Sequence, residues 1–402
     1  MYQSRPTRRS ITKALFATPM ILSSRIALAA DPVKVGLIFT TSGPFASSGD
    51  LMAKAAALFM KHKAPALLND QKVEIIQRDD GGPNPEVAKR LVQELIVRDR
   101  VQFIGGIQWT PNAFAIGPLL TQSKTPCVLM NAGTSSIVRS SPFFARTSHT
   151  IWQSCYPLGQ WAARNKIGKA YTLVTDFAGG HDAETGFTKG FTEAGGSVVA
   201  AVRMPIQNPN FAPLLQRVRD TKPDALFVFH PGGTQTAAFI KTYAEIGLAN
   251  DGIRLIGPGD LTSDEELPSV GPIAKGIITA HHYSVAGDRP ANKEFLALWH
   301  QEYGASLRPN YMSVGVWDGM RVIATTIAAN KGNGDPDAAM ETIKKYRDDN
   351  SPRGPISIDP QTRDIVQNEY IREVRIVNGE PYNVELETIP AVKDPWKSFN
   401  PA

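Results

Sequence analysis

Histidines beside acidic or aromatic residues are the first candidates for chemistry in this sequence. His281 and His282 are adjacent and precede Tyr283, and His181 precedes Asp182. Neighbouring side chains on a strand point to opposite faces, so the adjacent histidines are not expected to share one metal ion. No cysteine or carboxylate lies at metal-ligand spacing from them, so we predict no metal site and assign these histidines to structure or to ligand contact.

The nucleophile candidates are Ser42, Ser135 and Cys127. None of them lies in a Gly-x-Ser-x-Gly elbow or in a cysteine-protease motif. The sequence therefore predicts binding without catalysis and without a cofactor. An exported enzyme is the competing hypothesis, and a turnover assay would test it.

Two turns rich in small residues are candidates for holding an anion. Ser42-Gly43-Pro44 opens a helix near Gly49, and residues 131–136 read Asn-Ala-Gly-Thr-Ser-Ser. Backbone N–H groups at such turns, together with a helix N-terminus, favour a carboxylate. The first strand is not followed by Gly-x-Gly-x-x-Gly, and there is no Walker lysine pattern, so a nucleotide is not predicted. Such turns also occur simply to close a strand–helix unit.

The elements that position these turns alternate between strands and helices. Short β-branched or aromatic runs alternate with longer amphipathic stretches, which is typical of βαβ units and a mainly parallel sheet. In the first half the predicted strands are 33–39, 73–77, 101–104 and 127–130. Between the second and third strands, Asn84 is a predicted helix N-cap and Pro85 the first helical residue.

A second series of the same kind follows Trp152. Its predicted strands are 171–174, 197–203, 225–229, 254–256 and 277–280, with helices near 183–194, 211–220 and 234–246. Two successive series predict two doubly wound α/β lobes. Beyond residue 290, predicted helices at 291–303, 312–329 and 336–346 and extended segments at 354–358 and 370–377 indicate that the chain returns to both lobes.

The first 30 residues are predicted to be a cleaved export signal of the twin-arginine type. Arg8 and Arg9 precede an apolar run at 14–22, and residues 27–30 offer small side chains for a peptidase. The run contains Pro19 and is shorter than the roughly 20 residues that a membrane span needs. We therefore expect the mature protein in the periplasm.

The excess positive charge lies in this leader. Its five basic residues face no acid, and the remaining chain has 38 basic and 38 acidic residues. A near-neutral mature protein gives no reason to expect a nucleic-acid partner. Cys127 and Cys155 are the only cysteines; two buried free thiols are predicted, and a single bridge stays open.

Several short motifs, in their order along the chain, resemble the type I periplasmic binding proteins of the leucine/isoleucine/valine class, which serve ABC transporters. The matching motifs are Val35-Gly36-Leu37, Ser42-Gly43-Pro44-Phe45-Ala46 with Gly49, Asp79-Asp80, Phe103-Ile104-Gly105-Gly106, residues 176–182, Lys222-Pro223-Asp224-Ala225, Ile256-Gly257-Pro258-Gly259 and residues 311–319. Each motif is weak alone, but their joint order across the mature chain is specific to the family.

The resemblance implies a fold of two Rossmann-like lobes joined by a three-strand hinge, with crossovers near 148, 282–284 and 352–354. Lobe one would comprise 31–149 with 284–351, lobe two 150–283 with 352–390, and 391–402 would be a tail. A small-molecule ligand would bind in the cleft outside the carboxyl ends of the strands. Lobe closure would then create the surface that an inner-membrane permease recognises, with the binding protein acting as a monomer. A sensing module of the same fold, presenting its ligand to a receptor, is the alternative.

The resemblance also implies the positions of the ligand contacts. Lobe one would hold the ligand's carboxylate, and lobe two would close over the rest of the ligand. The candidate ligand-binding residues are Ser42, Gly43, Phe45, Trp109, Thr110, Ala132, Gly133, Thr134, Phe177, Gly179, Asp260 and His281.

The sequence departs from the leucine-type pattern at three positions. Trp109 stands where a serine is usual, Gly179 where an aromatic residue is usual, and Gly259 where an acid meets the ligand's ammonium, with Asp260 one position on. An ammonium buried without a carboxylate partner costs several kcal/mol, which weakens the case for a branched-chain amino acid. The added Trp109 suits a flat acid by stacking. An amino acid and an aromatic or aliphatic carboxylate are therefore comparable predictions.

Overall fold

The computed structural model describes residues 31–401, apart from the Thr234 side chain. The predicted export signal at 1–30 lies outside the described residues. None of the helices within 31–401 combines the length and the apolar character needed to cross a bilayer.

Five parallel strands form the first sheet, in the order β2-β1-β3-β4-β5. The strands are β1 (Val33–Phe39), β2 (Val73–Asp79), β3 (Phe103–Gly106), β4 (Cys127–Leu129) and β5 (Phe144–Arg146). The connecting helices are α1 (Ala46–His62), α2 (Ala64–Leu67), α3 (Pro85–Val97) and α4 (Thr110–Ser123). The predicted start of α3 is confirmed, since Asn84 Oδ1 accepts a hydrogen bond from the Val87 N–H at 3.3 Å.

The second sheet has a parallel part that repeats this design. Its strands are β6 (Lys169–Thr175), β7 (Ser197–Met204), β8 (Ala225–Phe229), β9 (Arg254–Pro258) and β10 (Ile278–His281). The helices around them are α5 (Ile151–Arg164), α6 (Ala178–Glu193), α7 (Phe211–Thr221), α8 (Thr234–Ile246) and α9 (Leu267–Val270). Two lobes with parallel sheets, the predicted fold class, are therefore confirmed.

The chain after β10 returns to both lobes. Its elements are α10 (Pro290–Tyr303), α11 (Tyr311–Ala329), α12 (Pro336–Lys344), β11 (Arg347–Asp348), β12 (Ile356–Ile358), β13 (Ile365–Val377), β14 (Glu380–Val392) and α13 (Pro395–Phe399). The helices α10 to α12 pack on the first sheet through apolar residues such as Phe295, Trp317 and Ile343. Strand β13 pairs antiparallel with β10 and so extends the second sheet.

Strand β14 is the main element that sequence reasoning missed. It forms a long antiparallel hairpin with β13, and Val377 faces Glu380 across a two-residue turn. Asn378 and Gly379 both have positive φ, at 52° and 88°. Asn-Gly is the sequence that a type I′ hairpin turn favours, so a local signal was present. The β14 sequence has no apolar run of the kind that marks a buried strand, and many of its side chains are exposed.

The lobes are joined by buried polar contacts at the crossovers. Between β5 and α5 the chain passes from the first sheet to the second, and Arg353 donates from Nη1 to the carbonyl oxygen of Ser148 at 2.7 Å. Arg353 also donates from Nε to Asp318 Oδ2 at 2.9 Å, and both side chains of this pair are fully buried. Arg353 thereby links the segment between β11 and β12 to the segment between β5 and α5 and to α11. Cys127 and Cys155 are buried and free.

Candidate ligand-binding site

A cavity lies between the lobes, at the carboxyl ends of strands from both sheets. It is lined by Gln108, Trp109, Thr110, Asn131, Gly133, His149, Ile151, Phe177, Phe229, Pro231, Asp260, Tyr311 and Met312. Most of these residues directly follow strands β3, β4, β6, β8 or β9. Parallel strands end at one edge of their sheet, which is why residues distant in sequence meet here.

Five of the predicted ligand-binding residues line this cavity: Trp109, Thr110, Gly133, Phe177 and Asp260. Two more touch them. The hydroxyl oxygens of Thr134 and Thr110 are 3.0 Å apart, and the ring of Phe45 lies edge-on to that of Trp109 with centroids 4.6 Å apart.

The other predicted residues lie outside the lining. Ser42 and Gly43 are exposed in the loop before α1. Ala132 is buried, and its N–H donates to the carbonyl oxygen of Ile107 at 3.1 Å, so that donor is already used within lobe one. Gly179 and His281 lie directly behind lining residues and shape the cavity from there.

Trp109 is held in place by a buried chain of hydrogen bonds. Its indole N–H donates to Thr40 Oγ1 at 2.8 Å, and the Thr40 hydroxyl donates to Asp80 Oδ1 at 2.6 Å. Asn112 Nδ2 donates to the other oxygen of Asp80 at 2.9 Å. Burial raises the pKa of Asp80. Asp80, the acid directly after β2, therefore orients Trp109 through Thr40 and so fixes one wall of the cavity.

The lobe-one end of the cavity is suited to a carboxylate. Thr110 is the first residue of α4, so the positive end of the helix dipole lies beside its hydroxyl, although Pro111 in the same turn has no N–H to donate. Thr134 supplies a second hydroxyl at the same place. One of these hydroxyls donates to the other, which leaves the pair one hydroxyl hydrogen for a ligand carboxylate at this helix N-terminus.

The glycine at position 259 is required by close packing. A Cβ atom built there would lie 2.2 Å from Cδ2 of His281 and 2.4 Å from Nη2 of Arg372. These distances leave no room for any side chain. The position where the leucine-type pattern has an acid for the ligand's ammonium is therefore closed by the His281 ring.

The glycine at position 179 is also enclosed by a neighbouring ring. A Cβ atom there would lie 2.7 Å from the ring of Phe177 and 3.1 Å from Ile151. Phe177 thus fills the space that an aromatic residue at 179 would need. Its centroid lies 6.0 Å from that of Phe229, and together the two rings form an aromatic wall on the lobe-two side.

The polar residues at the base of the cavity form a compact buried cluster. Tyr311 donates its hydroxyl hydrogen to Asp260 Oδ1 at 2.8 Å, and its ring centroid lies 4.3 Å from that of His281. The ring of His149 lies 5.0 Å from that of His281. Within residues 31–401, Asp260 Oδ2, His149 Nδ1 and both ring nitrogens of His281 have no hydrogen-bond partner.

Burial controls the ionisation of this cluster. It raises the pKa of Asp260 to about 6, against the hydrogen bond from Tyr311 and the charge of Arg372, which both lower it. It lowers the pKa of His149 to about 3 and holds that of His281 well below its usual value. Both imidazoles are therefore neutral at pH 7, and each offers one donor and one acceptor.

The expectation that His281 and His282 point apart was wrong. Their ring centroids are 4.4 Å apart. Strand β10 ends at His281, so the alternation of a strand no longer applies to His282. Single ligand atoms of His149, Asp260 and His281 also lie within 4.8 Å of one another, a spacing that a cation could use after small movements.

Comparison with known proteins places this fold and cleft in a family. Residues 32–380 match the family described as "Periplasmic binding protein". The chain belongs to this family. It is 40% identical over 383 residues to the Leu/Ile/Val-binding protein homolog 6 of Brucella melitensis, covering 95% of this chain and 98% of that protein.

Two solved structures of the family are similar over nearly their full lengths. A solute-binding protein of an ABC transporter from Rhodopseudomonas palustris BisB5, in complex with 3,4-dihydroxybenzoic acid, is 47% identical, with a TM-score of 0.87 over 91% of this chain and 99% of that one. Another, from Rhodopseudomonas palustris HaA2 in complex with p-hydroxybenzoic acid, is 41% identical, with a TM-score of 0.88 over 92% and 100%.

Sequence reasoning missed several lining residues of this periplasmic binding protein. Gln108 and Asn131 lie two residues after the ends of β3 and β4, so the rule that ligands bind at strand ends would have found them. Tyr311 was noted only as the start of a family motif. No local signal marks His149, because its place beside His281 depends on how the crossovers pack.

Proposed function

We propose that this protein is the solute-binding component of an ABC importer and that its ligand is a small aromatic carboxylate. Its partner would be an inner-membrane permease, and it would bind its ligand without chemical change. Support comes from the membership of the family and from the two similar solute-binding proteins in complex with hydroxybenzoic acids.

The observation that carries the choice of ligand is the closed position at Gly259. An amino acid needs a carboxylate for its ammonium, since an unpaired buried charge costs several kcal/mol. At 259 there is room for none, and one oxygen of neighbouring Asp260 accepts from Tyr311, so a single oxygen of this acid remains for a ligand, fewer acceptors than the three hydrogens of an ammonium need. Walls formed by Trp109, Phe177 and Phe229 instead suit a flat ring.

The two lobes divide the recognition. Thr110 and Thr134 of lobe one are proposed to hold the ligand's carboxylate, and Phe177 and Asp260 of lobe two to contact the rest of the ligand. Contacts made to both lobes at once exist only when the cleft is closed. Such contacts are what allow a ligand to shift the equilibrium toward closure.

Export to the periplasm is part of the proposal. Arg8 and Arg9 ahead of the apolar run are the support for the twin-arginine route. Replacing both by Lys is expected to leave the protein in the cytoplasm, as measured by fractionation. A periplasmic double variant would contradict this route.

Thermal unfolding of the purified protein with a ligand panel tests the choice of ligand. The panel contains benzoate, 4-hydroxybenzoate, hexanoate, leucine and isoleucine. A ligand at a hundred times its Kd stabilises the folded state by about 2.7 kcal/mol, so its binding is readily seen. We expect stabilisation by the benzoates and none by leucine or isoleucine. Stabilisation by leucine alone would contradict the proposal and restore the amino-acid interpretation.

Transport and sensing are separated by uptake. A strain that lacks this protein is expected to lose high-affinity uptake of the radiolabelled ligand and to regain it on complementation. Unchanged uptake with a lost transcriptional or chemotactic response would identify a sensing module instead.

A further inference from the structure

We propose that the cavity selects aromatic carboxylates that carry a ring hydroxyl, and that Asp260 and His149 recognise this hydroxyl. The inference rests on the proposed function and adds a specificity that aromatic binding alone does not require. It assigns a role to polar atoms at the base of the cavity that the carboxylate end does not use.

Asp260 is a buried acceptor with one free oxygen. The residue is 6% exposed, and its Oδ1 accepts from the Tyr311 hydroxyl at 2.8 Å. Its Oδ2 has no partner within the described part of the chain. A buried carboxylate oxygen without a donor is costly, so this atom calls for a donor from the ligand.

His149 lies near the carboxylate of Asp260 and also lines the cavity. One ring nitrogen of His149 lies within 4.8 Å of a carboxylate oxygen of Asp260, and its Nδ1 has no partner within residues 31–401. Behind it, the ring of His281 supplies two further unpartnered nitrogens. A phenolic hydroxyl donates one hydrogen bond and accepts others, so it matches a carboxylate acceptor next to a neutral imidazole donor.

Charge sets the direction of the ligand in the cavity. A carboxylate is repelled by Asp260 and attracted by the N-terminus of α4 beside Thr110. The ligand's acidic end therefore turns toward lobe one. Its opposite, uncharged end then faces Asp260 and His149, where a para or meta hydroxyl of a benzoate would lie.

A ligand without the hydroxyl would leave the free oxygen of Asp260 and the ring nitrogen of His149 buried without a hydrogen-bond partner. Sites built to hydrogen-bond a ligand hydroxyl discriminate strongly against the analogue that lacks it. We expect 4-hydroxybenzoate and 3,4-dihydroxybenzoate to bind about 10- to 100-fold more tightly than benzoate, in line with one lost hydrogen bond at a buried charged group.

Isothermal titration of the full-length purified protein with benzoate, 4-hydroxybenzoate and 3,4-dihydroxybenzoate tests this. The key variant is Asp260→Asn, which keeps the size and the acceptor for Tyr311 but replaces Oδ2 by a donor group. We expect the preference for hydroxylated ligands to fall by about tenfold, with benzoate affinity largely kept. Asp264→Asn is the matched control, because Asp264 is equally buried but accepts within the protein, from Asn383 Nδ2 at 2.9 Å. Its preference ratio should equal that of the unmodified protein.

The outcomes separate this inference from the proposed function. Equal affinities for benzoate and 4-hydroxybenzoate in the unmodified protein would overturn the hydroxyl recognition and leave aromatic binding intact, without needing any variant. Binding of none of the three would overturn the proposed function itself. A preference that survives in Asp260→Asn would remove Asp260 from the role. A preference that needs Zn²⁺ and is abolished by EDTA would overturn direct recognition in favour of a metal held by His149, Asp260 and His281.

Discussion

At the scale of single residues, two side chains that the family pattern leads one to expect stand at neighbouring positions instead. The aromatic side chain expected at 179 is supplied by Phe177, whose ring occupies the space above Gly179. The acid expected at 259 stands at 260, and the His281 ring closes position 259. Moving an acid by one residue changes what it faces, because Asp260 accepts from Tyr311 at the start of α11.

The carboxylate end can be tested at Thr134. Replacing Thr134 by Ala is expected to weaken affinity for the ligand about tenfold, since a hydrogen bond to a charged group contributes about 1.5 kcal/mol. Thr134→Ser keeps the hydroxyl and should bind nearly as well as the unmodified protein. Titration calorimetry measures both. If the Ala and Ser variants bound equally, the Thr134 hydroxyl would have no part in holding the carboxylate.

At the scale of elements, glycine and asparagine at the ends of helices and strands carry most of the local information. Asn84 caps α3, and Asn378-Gly379 forms the turn between β13 and β14.

The short helix α13, which follows β14, contacts both lobes. Lys397 donates to the carbonyl oxygen of Ser135 at 2.8 Å, and the Phe399 ring lies 5.6 Å from that of Tyr156 on α5.

The cap of α3 gives a prediction at this scale. Asn84→Ala is expected to lower the free energy of unfolding by about 1 kcal/mol, because the N-terminal N–H of α3 loses its acceptor. Asn84→Asp keeps an acceptor oxygen and should be nearly neutral. Chemical denaturation followed by circular dichroism measures the difference. Equal losses in both variants would show that the amide contributes by something other than capping.

At the scale of the whole molecule, burial shifts the pKa values of carboxyl and imidazole groups in opposite directions. Burial raises the pKa of Glu369 to about 8 and that of Glu265 to about 7. Burial lowers the pKa of His149 to about 3 and that of His230 to about 4. A raised carboxyl pKa means that the folded state binds a proton more readily than the unfolded chain does.

These shifts predict how stability depends on pH. As the pH falls through 8 and 7, Glu369 and Glu265 take up protons only in the folded state, so stability rises. Below about 6.5 the histidines become protonated only in the unfolded chain, which opposes further gain. Thermal unfolding of the ligand-free protein should therefore show greater stability near pH 6.5 than near pH 8.5.

Glu369 provides the matched test of this prediction. Its carboxylate accepts from Ser154 Oγ at 2.9 Å and is fully buried. Glu369→Gln should flatten the rise in stability between pH 8.5 and pH 6.5, because the variant has no proton to take up. The exposed Glu387→Gln is the control and should leave the profile unchanged. A profile of the Glu369→Gln variant as steep as that of the unmodified protein would refute this assignment.

The sequence by itself determined the alternation of strands and helices, the cap of α3 and the two-lobed fold, because these depend on local periodicity and on residues with restricted backbone or capping roles. The family resemblance pointed to Trp109, Thr110, Phe177 and Asp260 as ligand contacts, and the four residues line one cavity in the structure. Only the tertiary structure decided that His149, Asp260, His281 and Tyr311 form one cluster. These residues come from four separate segments that meet between the lobes, and their burial there shifts their pKa values. No local pattern encodes that meeting, because it depends on how the two sheets pack together.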